Sequence, residues 1–176
     1  VKVVLDTNVV MSGIFFGGVP GRLLEAWTHG RIELVLSPAI LDEYRRVGSE
    51  LAAKYPARGE ALAPVLALIA MHATMVDAAA LPERVSADPD DDKFLGAAIA
   101  TQASIVVSGD RDLLEVSGWR EIEVLTPRAF ADRHLVAGRE LTRACCGQGR
   151  APRPARSRFL EARAGLGGPR RRSAGR

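Results

Sequence analysis

Five carboxylates in this sequence stand where a strand or turn gives way to a helix, with neither histidine nor cysteine beside them. Asp6 closes the apolar run Lys2 to Leu5, and Glu43 lies in LSPAILDEYRR. Asp92 ends the acidic stretch DPDDD, and Asp110 follows IVVSG, with Asp112 two residues on. Carboxylates gathered at one place repel and shift each other's pKa values unless a cation sits among them. A set of hard oxygen donors selects Mg²⁺ or Mn²⁺. Such ions activate water and steady the charge of an in-line attack on phosphate. Taken singly, each acid also has a plainer role. Asp6 and Asn8 suit a turn, Glu43 suits a solvated helix face, and the run Asp88 to Asp92 suits the first turn of a helix. Asp110 suits a helix cap. Spacing alone reaches no further than a metal site.

The elements that must position these acids are short and alternate. Lys2 to Leu5, Glu33 to Leu36, Thr74 to Asp77, Ile105 to Ser108 and Glu121 to Leu125 read as strands. Helices are expected over about Gly21 to His29, from Pro38 with Ser37 as N-cap, and over about Gly59 to His72. Three more fit Lys93 to Gln102, Asp110 to Val116 and Pro127 to about Leu135, with Thr126-Pro127 repeating the Ser37-Pro38 device. Strands that are nearly all apolar and separated by helices imply an α/β fold: three layers, α/β/α, around a mainly parallel sheet of about five strands. In such a sheet, ligands sit at the carboxyl ends of the strands.

Composition bounds the rest. The 176 residues suffice for one α/β domain, placed at 1–138. No run reaches the roughly 20 apolar residues of a membrane span, and the start lacks the regions of a secretory signal. Cys145 and Cys146 are adjacent, and His29, His72 and His134 are scattered without ligand spacing. A reducing cytoplasm is the expected compartment. The net charge of +3 averages two unlike regions. Residues 1–135 carry −6, whereas residues 136–176 carry +9, with 11 Arg and no Lys. Residues 139–176, rich in Arg, Gly and Pro, read as a disordered basic tail. It is either an RNA-gripping arm or an extension foreign to the domain.

Four motifs together resemble one family. VKVVLDTNVVMSG resembles the opening strand and acidic motif of PIN-domain proteins, LSPAILDEYRRV the second, DPDDDKFLGAAIA the third and IVVSGDRDLL the fourth. They occur in the family's order over about residues 1–133, nearest to the bacterial VapC-like toxins of toxin–antitoxin pairs. The resemblance implies a metal-dependent endoribonuclease with Asp6, Glu43, Asp92 and Asp110 as catalytic and Mg²⁺- or Mn²⁺-binding acids, and Asp112 as an auxiliary ligand. Asp92 is preferred to Asp91 because the small, apolar helix of the motif begins just after it. Asn8 resembles the polar residue that orients Asp6, and Ser108 a hydroxyl that hydrogen-bonds behind the acids. Lys93 and Arg111 neighbour the acids and either contact RNA or balance charge. The resemblance further implies single-stranded RNA as substrate, a cognate antitoxin and a homodimer. Two departures stand out: Gly48 inside a helix, at about 1 kcal/mol against Ala, and the Arg-rich tail.

Three rivals fare worse. A haloacid-dehalogenase-type phosphatase needs a second aspartate two residues after the first, where Asn8 stands. A flavodoxin-like signalling domain needs paired acids at the first strand and a lysine near the last. A non-catalytic PIN-like module that binds RNA or protein would be expected to have lost an acid, and all four positions are acidic.

Overall fold

The computed structural model describes residues 1–135 apart from Ala80. The tail, the last residues of the expected domain and both cysteines lie outside the described residues. Five strands form one all-parallel sheet: β1 (Lys2–Leu5), β2 (Glu33–Leu36), β3 (Thr74–Met75), β4 (Ile105–Val107) and β5 (Glu123–Leu125). Their order is β3-β2-β1-β4-β5. The chain moves outward from β1 through β2 to β3, then returns to place β4 on β1's other side. The switch in direction therefore falls between β1 and β4, where open sheets of this kind leave a crevice at the carboxyl edge. β1 is buried on both faces from Val3 to Leu5, which is why it reads as a continuous apolar run.

Around the sheet pack α1 (Thr7–Phe15), α2 (Gly18–Thr28), α3 (Pro38–Lys54), α4 (Pro56–Gly59), α5 (Leu62–His72), α6 (Asp92–Thr101), α7 (Arg111–Glu115) and α8 (Pro127–Phe130). A π-helical turn over Ala131–Leu135 follows α8. The two Pro-led starts are capped as expected: Ser37 Oγ accepts from the Ile40 N–H and Thr126 Oγ1 from the Ala129 N–H. No single helix among the described residues is long and apolar enough to cross a membrane.

Helix α1 has no counterpart in the sequence reading. Its buried residues Thr7, Val9, Val10, Met11 and Phe15 are spread around the helix, which packs on α2, α3, α4 and α5, so no clear amphipathic stripe marks it. Gly48 sits inside an unbroken α3 for a packing reason. A Cβ there would stand 2.6 Å from Leu62 Cδ1 and 3.3 Å from Met11 Sδ, so the missing side chain is what lets α1, α3 and α5 close on each other.

Candidate active site

Register brings the first acid to its partner. Leu5 of β1 stands opposite Val107 of β4, and the Asp6 N–H extends that ladder by donating to the Val107 carbonyl at 2.9 Å. The next residues, Asp6 and Ser108, therefore emerge side by side at the carboxyl edge. Ser108 Oγ donates to Asp6 Oδ2 at 2.6 Å and accepts from the Asp110 N–H at 2.9 Å. One fully buried hydroxyl thus ties the acid after β1 to the loop that carries the acid after β4. The other Asp6 oxygen, Oδ1, accepts from the backbone N–H of Asn8 at 3.3 Å, capping α1. The orienting group at position 8 is this backbone N–H.

Glu43 reaches the same place from α3. It is four-fifths buried, ion-paired with Lys93 of α6, and its Oε2 accepts no hydrogen bond of good geometry. Next to it, the Tyr44 hydroxyl donates to the Leu5 carbonyl at the end of β1, locking α3 onto the strand.

The electrostatics show which acids share a field. Burial pushes the Asp6 carboxyl up, bonds from Ser108 and Asn8 pull it down, and the nearby charges of Glu43 and Asp110 push it up again; the net direction is upward. The Tyr44 phenol is raised well above its ordinary value by burial, then by Asp6 and Glu43. Asp91 shares this field. Partial burial, followed by the charges of Asp110, Asp6 and Asp88, lifts Asp91 to about 6, with Lys93 opposing.

Asp91 and Asp92 differ in what holds their carboxylates, and the cause is plain. Both oxygens of Asp92 are occupied: Oδ1 accepts from the Ser86 N–H at 2.8 Å and Oδ2 from the Val85 N–H at 3.2 Å. Asp92 therefore staples the loop before α6 to the helix start. Asp91 holds the N-cap position of α6, yet its side chain accepts no capping bond there. Its one contact with the loop is a long 3.5 Å bond from Ser86 Oγ. The carboxylate is left to face the acids at the sheet edge.

The remaining expectations sort by geometry. Asp110 Oδ1 accepts from the Asp112 N–H at 2.9 Å, so Asp110 caps α7 while it joins the acid group. Asp112 contributes a backbone donor to that cap. Lys93 balances Glu43 from inside the group, and Arg111 is largely exposed and paired with Glu115 at 2.9 Å. Asp88 and Asp90 are exposed, and Asp88 Oδ1 accepts from the Asp90 N–H at 2.9 Å to cap the short 3-10 turn Pro89–Asp91. Among the described residues no three acids stand close enough, as placed, to clasp one ion. A cavity of about 740 Å³ lies at the opposite edge, by Val1, Glu33 and His72, away from the acids.

A family model described as PIN domain matches residues 2–112. The chain belongs to the PIN-domain family. The match takes in β1 through the start of α7, and so every acid of the group. PIN domains are generally nucleases and typically use divalent metals, which places this one among the hydrolases at that level. No curated protein and no solved structure matches the chain.

Proposed function

We propose that this PIN domain is a divalent-metal-dependent endoribonuclease acting on single-stranded RNA, with Asp6, Glu43, Asp91 and Asp110 as its acids. The observation that carries the reading is the shared field of these four carboxylates at the switch point of a parallel sheet. The donor set suits the ion: all oxygens, no imidazole or thiolate, a largely buried Glu43 whose Oε2 is held by Lys93 alone, and a buried Asp6 raised by its neighbours. Small side-chain rotations would be needed for the group to converge; Asp91 and Glu43 accept no backbone hydrogen bond on either oxygen, and Asp6 and Asp110 each keep one oxygen without one. When bound, Mg²⁺ or Mn²⁺ supplies a Lewis acid for a phosphoryl oxygen and lowers the pKa of water.

The chain's own residues have separable tasks. Ser108 fixes the spacing of Asp6 from the Asp110 loop, and Tyr44 holds α3, and with it Glu43, against the end of β1. Lys93 pairs with Glu43 and sets a positive charge among the acids. Asp92 keeps the loop before α6 in the shape that presents Asp91.

The toxin role, with a cognate antitoxin, a homodimer and a cytoplasmic setting, is supported by the motif resemblance alone. Its test is growth arrest on expression, relieved by Asp6→Asn or by the product of a neighbouring reading frame. The nuclease test is Mn²⁺- or Mg²⁺-dependent cutting of a mixed single-stranded RNA pool, with Asp6→Asn prepared in parallel. Cutting that the variant lacks supports the reading. RNA binding without cutting, and without uptake of Mn²⁺, would mean a non-catalytic binding module.

A further inference from the structure

The two helices that deliver Asp6 and Glu43 both run from the acids to one aromatic and cationic patch. On α1, the exposed Asn8 and half-buried Ser12 begin a four-residue spacing beside Asp6 that the exposed Phe16 continues just past the helix end. On α3, Glu43, Val47 and Leu51 recur every four residues as a half-buried ridge, which the exposed Tyr55 continues just past the helix end. The helices pack along each other, with Met11 against Gly48 between the two rows. At 1.5 Å per residue, the ends of the rows lie about 15 to 18 Å from the acids.

At that end two large rings are left in water. Phe16 is 55% and Tyr55 36% exposed, and their rings meet edge to face with centroids 5.8 Å apart. The Arg58 guanidinium lies 5.2 Å from the Phe16 centroid and the Lys54 ammonium 5.6 Å from that of Tyr55. Neither cation is in an ion pair among the described residues, although Glu60 stands two residues from Arg58. Elsewhere among the described residues Arg45, Arg46, Arg111, Arg120, Arg128 and Arg133 each pair with an acid, and the unpaired Arg22 and Arg31 stand over no aromatic ring.

We propose that Phe16 and Tyr55, with Arg58 and Lys54, form a stacking and phosphate-binding subsite for single-stranded RNA, a few nucleotides from the bond to be cut. Aromatic faces stack any base, and adjacent free cations hold the backbone; this pairing is how single strands are gripped without sequence reading. Charge decides the occupant. Residues 1–135 carry a net −6, so a cationic and aromatic end to the acid-bearing helices is a favoured place for an anionic strand to lie. A purely apolar protein partner would leave both cations without a counter-charge. The inference rests on the ribonuclease reading and deepens it by naming where the substrate lies.

The test uses the full chain in EDTA, so that no cutting occurs, with a short mixed-sequence single-stranded RNA carrying 5-bromouridine. Raised salt screens the 11 arginines beyond residue 135. Crosslinks mapped by mass spectrometry are expected on Phe16 or Tyr55. Phe16→Ala and Tyr55→Ala should each weaken binding about tenfold, the loss of one stacked base, while Phe16→Tyr keeps it. Arg58→Ala should lower the slope of log affinity against log salt by about one. Crosslinks elsewhere, with both alanine variants binding as the parent does, would overturn the proposal. So would a dimer that Phe16→Ala turns to monomer with RNA crosslinks unchanged, since the patch would then be a protein contact. Crosslinks at the patch without metal-dependent cutting by the parent would sink the hydrolysis reading and leave this subsite standing. Cutting that Asp6→Asn abolishes, with no crosslink at the patch, would do the reverse.

Discussion

Replacing Asp91 or Asp92 by Asn separates an acid that works from an acid that holds. In the folded protein Asp92 accepts two backbone N–H bonds, at 2.8 and 3.2 Å. Hydrogen bonds to a charged group are each worth about 1.5–3 kcal/mol. Asn keeps one acceptor and turns an NH₂ toward the other N–H, so Asp92→Asn should cost about 2 kcal/mol, or roughly 6–8 °C in melting temperature. Asp91 has the opposite balance. Its carboxyl is lifted to about 6, so at pH 7.5 the ionised form burdens the fold. Removing that charge should leave stability unchanged or raise it by about 1 kcal/mol, after discounting for the screening of a partly exposed group. Activity should follow the reverse order. Losing a carboxylate that would hold the ion should lower Mn²⁺-dependent cutting by at least about a hundredfold, since even residues behind metal ligands are worth 10–100-fold. Asp92→Asn should stay within about tenfold of the parent at a temperature where it is folded. The assay is single-turnover cutting of a labelled single-stranded RNA, with melting followed by circular dichroism on the same samples. An Asp91→Asn protein that cuts like the parent, beside a folded Asp92→Asn protein that does not, would refute the reasoning and restore the assignment made from the motif.

Other outcomes follow from the same geometry. The raised Asp91 carboxyl makes the folded state bind more protons than the unfolded chain between about pH 4 and pH 6. Its contribution to stability in EDTA therefore falls as pH rises through that window, and the loss should be smaller in Asp91→Asn, read from paired melting curves. Saturating Mn²⁺ should restore stability at pH 7.5, by about 2.7 kcal/mol at a hundred times its Kd, and do little for Asp6→Asn. Ser108→Ala removes the donor to Asp6 and strands the Asp110 N–H. It should cost about 1–3 kcal/mol and lower cutting 10–100-fold; a silent substitution in both assays would show that the bridge is incidental. Gly48→Ala gains helix propensity but drives a methyl into Leu62 at 2.6 Å. A net loss of about 1 kcal/mol is expected, because overpacking at roughly 1–3 kcal/mol outweighs the gain; a higher melting temperature would show that Leu62 yields freely.

How much of this was legible in the sequence depended on whether the signal was local. The five strands, the capped starts of α3 and α8 and the parallel α/β class were readable, because apolar runs, Ser-Pro and Thr-Pro act over a few residues. The order of the acidic motifs was likewise enough to point to the family. Helix α1 was not readable, since buried residues spread around it blur the stripe that betrays a helix. Gly48 looked like a defect in a helix and is a contact between three helices.

The candidate site divides along the same line. Asp6 and Asp110 are placed by the chain itself, because Asp6 directly follows one apolar strand and Asp110 comes three residues past another, and both strand ends must lie at the carboxyl edge. Whether Asp91 or Asp92 joins them was beyond local reading: adjacent acids in one turn differ by which backbone N–H groups the folded loop offers. Val85 and Ser86 capture Asp92, and Asp91 is left to the field of Asp6 and Asp110. The Asp6–Ser108 bond spans 102 positions and exists only because β1 and β4 pair with Leu5 opposite Val107. Sequence determined which residue types could carry charge at the edge of the sheet. Pairing register and backbone donors, set by tertiary structure, decided which of those charges meet.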